Sequence, residues 1–196
     1  MVLSLFIILD PPGIIPVVIR LFEGLNRKEQ LKISLYVTVF VAILLLLFTI
    51  LGEAILRYFG ISFAALKIAG GILIGLVGFE MTRAGEKPKH RKEEELVGFE
   101  EALSNMLVPV GSPLLVGPGA ISLSIINGAV YGYPISILGA IIAAILVFPF
   151  IYFSTLIGKI IGERGVRILT RILGFFILAI GIQYILDGVV IFKSSI

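Results

Sequence analysis

An all-α membrane protein is the fold class this sequence predicts: six transmembrane helices laid out as two inverted three-helix repeats, with spans 1 and 4 broken mid-membrane. Three observations predict it. The composition suits no soluble core, six apolar runs reach spanning length with Pro-Gly breaks in two of them, and basic residues fall on every second connection.

Of 196 residues, 58% are apolar and 15% charged, with a mean hydropathy of +1.11. Soluble domains run near ~45–50% apolar and ~25% charged. A small domain keeps much of its surface in water and cannot bury this much apolar area, so lipid is the expected solvent. The net charge of +3 would raise nucleic acid as a partner in a soluble protein. Here the basic residues sit between apolar runs, so topology explains them and no nucleic acid is expected. The absence of cysteine excludes disulfides, thiol catalysis and thiolate metal sites.

A helical span needs about 20 apolar residues. Met1–Leu9 lacks the basic start and cleavage site of a signal peptide and reads as the beginning of span 1, residues 2–22, interrupted by Asp10-Pro11-Pro12-Gly13 and Pro16. Continuous spans are expected at Ile33–Leu56, Phe63–Met81, Pro134–Ile157 and Ile168–Phe192. Span 4, residues 102–130, contains Pro109, Gly111, Pro113 and then Gly117-Pro118-Gly119. Between the halves, Thr82 to Glu101 mixes both charge signs around His90, the single histidine. The expected organisation is a first repeat over 1–82, a charged cytoplasmic linker over 83–101 and a second repeat over 102–196.

The connections after spans 1, 3 and 5 hold 13 of the 16 basic residues. Cytoplasmic loops are the Lys/Arg-rich ones, so both termini are expected outside. Tyr58, Tyr131 and Tyr133 fall at the outer ends, where amphipathic rings favour the interface. Pro12-Gly13 matches Pro118-Gly119 at an offset of 106, and Lys67 to Gly70 matches Arg171 to Gly174 at 104. An odd number of spans per copy inverts the second copy, the plan of many secondary transporters. Gly70, Gly71, Gly75 and Gly78 point to close helix packing inside the monomer.

Nine residues precede Asp10, which at 1.5 Å each carries the break to about the membrane midplane. Proline removes donors there and glycine redirects the chain; unwound backbone at that depth implies a protein-lined cavity. The amide end of a broken helix suits a carboxylate, while the carbonyl end beside Asp10 suits an ammonium group or a proton. Gly117-Pro118-Gly119 offers the same backbone chemistry, flanked by Ser112 and Ser122. Together the two breaks suit a small zwitterion. Asp10 also suits capping of the second half-helix, with Pro11 at its first position. Glu80 is expected to be interfacial, and Asn127, Gln183 and Asp187 to hydrogen-bond at helix ends or between helices. No phosphate-binding loop, metal-ligand cluster or paired catalytic carboxylate is present in the sequence, so no enzyme activity, catalytic residue, cofactor or metal is expected.

Leu9-Asp10-Pro11-Pro12-Gly13-Ile14-Ile15-Pro16 and Ser112-Pro113-Leu114-Leu115-Val116-Gly117-Pro118-Gly119-Ala120-Ile121-Ser122 resemble the two motifs of the MarC/SnatA family of integral membrane proteins. The resemblance covers nearly the whole chain. It departs at Pro12, where Leu is typical, and at Ile14, where Asn is typical, so Ile14 makes no polar side-chain contact. The resemblance implies a transporter of small neutral amino acids such as glycine and alanine, coupled to a proton or sodium gradient. It carries over Asp10, Pro12, Gly13, Pro118, Gly119 and Ser122 as substrate-site candidates, to which the second break adds Gly117 and Ser112. Asp10 is also the candidate for coupling.

Overall fold

The computed structural model describes residues 1–83 and 115–194, and within them every regular element is a helix. The linker beyond Arg83, Ser112 and the first part of the expected fourth span lie outside the described residues.

Helix α1, Val2–Leu9, ends at Asp10, whose φ of 42° and ψ of 57° lie in the left-handed region. Among non-glycine residues Asp and Asn tolerate that region best. Helix α2, Pro11–Leu21, restarts with prolines at its first two positions, where no intrahelical donor is needed. The two are bent by 42°. Helix α3, Arg27–Tyr58, is opened by a reciprocal capping box between Asn26 and Glu29. Helix α4, Phe63–Thr82, is capped by Ser62.

The second half begins with α5, Pro118–Tyr131, then α6, Tyr133–Tyr152, and α7, Ser154–Ser194. The continuous span expected over Pro134–Ile157 ends earlier, at Tyr152, and α7 is interrupted at Gly162, with φ 68° and ψ 165°. The apolar part that follows is Arg164–Ser194.

Among the described residues four helices are long and apolar enough to cross a membrane (α3, α4, α6 and the second part of α7), and the bent α1–α2 pair, counted as one span, makes a fifth. Helix α5 has 14 residues, a rise of about 21 Å against a hydrocarbon layer of about 30 Å.

The helices are apolar on both sides, which marks a lipid-facing bundle. On α3, Ile33, Val37, Val41, Leu45, Thr49 and Gly52 form a buried stripe at three- and four-residue spacing. Val39, Ile43, Leu47 and Ile50 of the same helix are exposed. Helix α5 is enclosed: Ser122 to Gly128 are all buried.

Packing joins the two halves more than it joins neighbours in sequence. Helix α4 lies along α7, α3 along α5 and α6, and α1–α2 against α6 and α7. The α4–α7 seam is antiparallel and built on glycine. A Cβ on Gly71 would meet the Gly181 carbonyl at 2.6 Å, one on Gly78 the Gly174 carbonyl at 2.8 Å, and one on Gly188 the Ala64 carbonyl at 2.9 Å. Small residues let backbones approach this closely in lipid, and the glycines of span 3 do pack within the monomer. Lys67 ties one end of the seam, donating to Asp187 at 3.1 Å, while Gln183 Nε2 donates to the same carboxylate at 2.7 Å.

Candidate functional site

The break in the first span opens onto a cavity of about 290 Å³ lined by Asp10, Gly13, Pro16, Glu80, Met81, Val166, Arg167 and Thr170. Asp10 reaches it because its left-handed backbone turns the chain between α1 and α2, where its carboxylate accepts from the Gly13 amide at 3.2 Å. Pro11 and Pro12 cannot donate, and the Asp10 amide is spent on the Ile7 carbonyl. The final turn of α1 therefore keeps carbonyl oxygens without helical donors beside a carboxylate, an arrangement suited to a positive group. Gly13 must lack a side chain, since a Cβ there would overlap the Asp10 carboxylate.

The other walls come from the end of α4 and the start of the long part of α7. Glu80 and Arg167 are exposed, Asp10 is half-buried, and Met81, Val166 and Thr170 are buried. The lining thus grades from a charged mouth to a largely apolar interior. The Thr170 hydroxyl is buried and has no hydrogen-bond partner. Such a group costs about 1–3 kcal/mol when unsatisfied. A single water needs about 10–15 Å³, so the cavity holds several waters or one small solute, below the range of about 300–1,000 Å³ typical of larger ligands.

The sequence-predicted residues divide. Asp10 and Gly13 line the cavity; Pro12 is buried next to them but does not. Gly117 caps α5 in extended backbone and Pro118 is its exposed first residue. Gly119 packs against α1, where a Cβ would meet Ile8 Cδ1 at 2.8 Å. Ser122 is buried against Gly70 of α4. The second break is therefore brought close to the first, two residues before Asp10, without lining the same cavity. Ser112 lies outside the described residues.

Thr170 and Arg167 are not among the sequence candidates: Arg167 falls in the basic connection after span 5, and Thr170 is a lone hydroxyl near the start of the expected span Ile168–Phe192, with no motif around it. The one signal was their spacing with Val166, which places all three on one face of a helix. Glu80, expected to be interfacial, stands at the cavity mouth. Gln183 and Asp187 do bond, as expected, but the Asn127 side-chain amide is buried without any hydrogen bond. Its backbone carbonyl accepts from Ser136 Oγ at 2.7 Å.

Residues 1–192 match the family described as MarC family integral membrane protein. The chain is 38% identical over 192 residues to a UPF0056 membrane protein of Methanocaldococcus jannaschii, covering 95% of this chain and 92% of that one. It is 32% identical over 194 residues to UPF0056 membrane protein YhcE of Escherichia coli, covering 95% and 89%. No solved structure matches it. A match along almost the full length takes in the broken first span, the glycine seam and the enclosed α5 together: the chain belongs to the MarC family of integral membrane proteins.

Proposed function

We propose that the protein is a secondary transporter of small neutral amino acids, of the glycine and alanine class, working by alternating access across the cytoplasmic membrane. The observation that carries this reading is a cavity at the break between α1 and α2, lined by a carboxylate and by helices from both halves of the chain. Helix breaks of this kind are where secondary transporters hold substrate and coupling ion. In this reading Asp10 binds the substrate ammonium or the coupling proton or sodium ion, and no cofactor or catalytic group takes part. The substrate class rests on the resemblance of the motifs.

The six-span inverted repeat is part of the same proposal. Exchanging the halves carries the α3–α5 pair onto α6 with α1–α2, and leaves α4–α7 and α3–α6 as self-pairs; all four occur. The left-handed glycines follow suit. Gly24 and Gly132 stand at the first connection of each half, Gly60 and Gly162 at the second. Tyr133, whose hydroxyl donates to Glu53 at 2.7 Å, lies at the bundle end away from Arg83 and Arg167. Placing the basic-rich connections in the cytoplasm makes this an inward-open state with both termini outside.

The test is uptake of radiolabelled glycine and alanine into proteoliposomes, with and without an imposed pH or sodium gradient. Saturable accumulation above equilibrium is expected. Uptake that stops at equilibrium would identify a passive pore for small polar solutes. No uptake by folded, inserted protein would sink the amino-acid assignment.

A further inference from the structure

We infer that Thr170 is a ligand of the Asp10 site: its hydroxyl, together with the Asp10 carboxylate, holds the positively charged group that enters the cavity. This deepens the transport reading and rests on it for the choice of probe. Three observations lead here. Thr170 is 5% exposed, its hydroxyl bonds to nothing, and it lines the same cavity as Asp10 and Gly13. A buried hydroxyl is normally satisfied, often within its own helix by the carbonyl one turn back. Ser34, Thr38 and Ser124 of this chain do that. Thr170 does not, although it sits in a helix with a preceding turn available.

The chemistry narrows the occupant. A hydroxyl oxygen accepts through two lone pairs and a carboxylate only accepts. With the donor-poor end of α1 beside Asp10, the less exposed polar groups of the lining, Asp10 and Thr170, are rich in acceptor oxygens, while Glu80 and Arg167 are exposed. That pair suits a cation: an alkali ion, which takes hydroxyl, carbonyl and carboxylate oxygens, or a primary ammonium with three donors. Val166 and Met81 complete the wall as apolar surface, which favours a compact group and strengthens the charge interaction by lowering the local dielectric. In the proposed alternating cycle this contact gives α7 a direct hold on the occupant. Closure over the site then depends on occupancy rather than on α2 alone.

The experiment compares wild type, Thr170→Val and Thr170→Ser as purified full-length protein in detergent. Thermal midpoints are read against glycine in potassium buffer, and against sodium replacing potassium at constant ionic strength and pH. The valine variant keeps the shape and loses the oxygen; the serine variant keeps the oxygen. Thr170→Val is expected to weaken the stabilisation by about tenfold in apparent affinity, the loss of one hydrogen bond to a charged group. Thr170→Ser should stay within about threefold. A change in the glycine titration alone assigns the substrate ammonium, and a change in the sodium titration alone assigns a coupling ion. Wild-type affinity in Thr170→Val overturns the inference. So does an equal loss in both variants, which marks packing, or a wild type stabilised by neither probe. Binding that depends on Thr170 without any uptake in proteoliposomes would reject transport and leave this pairing standing.

Discussion

The α4–α7 seam and the Asp10 break both depend on glycine, yet they use it for opposite ends. In the seam, Gly71, Gly78, Gly174 and Gly181 remove side chains so that two backbones meet and no space is left between them. At the break, Gly13 removes a side chain so that a carboxylate can lie across the chain, and space remains beside it. The seam carries a satisfied ion pair, Asp187 being held by Lys67 and Gln183. The cavity carries a hydroxyl that nothing satisfies. Tight packing with paired charges marks a region that holds its arrangement. Space with unpaired polar groups marks one that receives something.

Substitutions can separate the two regions, here ranked by the stability each should remove. Gly78→Ala drives a methyl onto the Gly174 carbonyl and Leu178 amide, and should cost about 2–3 kcal/mol, read as a lower thermal midpoint in detergent. An unchanged midpoint would mean that the seam is not close-packed. Asp10→Ala loses a cap and leaves alanine in left-handed backbone, for about 2 kcal/mol. Lys67→Met should cost about 1 kcal/mol, less than a fully buried pair because the Asp187 side chain is 35% exposed. Adding Asp187→Leu should recover much of that loss; if it makes matters worse, the pair contributes more than its charges.

The smallest stability effect should come from Asp10→Asn. Asparagine accepts from the Gly13 amide and tolerates the left-handed region, so the change should stay within about 0.5 kcal/mol. Gradient-driven accumulation should nevertheless fall by at least about tenfold, because the charge is gone. Full accumulation by Asp10→Asn would remove Asp10 from coupling. A melting loss as large as that of Asp10→Ala would instead make its role structural.

Much of the bundle is legible in the sequence because lipid imposes long apolar runs, and these place α3, α4, α6 and the end of α7 to within a few residues. The Asp-Pro-Pro-Gly break is equally plain, since its proline and glycine chemistry is local. Less legible is whatever depends on which helix faces which. Thr170 belongs to the site only because α7 approaches α2 and the end of α4, and nothing in its own segment announces that. Gly119 and Ser122 look like the mirror of Gly13 but pack against Ile8 and Gly70. The early end of α6 at Tyr152 escapes a hydropathy reading because apolar character continues through it to Ile157, whereas the Gly162 interruption falls in the charged connection expected between the last two spans.

The interleaving of the halves has a consequence for how the protein is made. Among the described residues, α1–α2, α3 and α4 have almost no packing with one another; their partners are α5, α6 and α7. A nascent chain that has released only its first three spans holds an exposed Asp10, an uncovered glycine face on α4 and Lys67 without its counter-ion. The two charged side chains are unfavourable in hydrocarbon. Asp187 lies in α7, so that ion pair forms only once α7 has been made. Assembly must therefore be late and concerted. An early stop even slightly upstream of Asp187 should leave a chain that membrane quality control recognises, whereas the two halves supplied as separate chains should find each other.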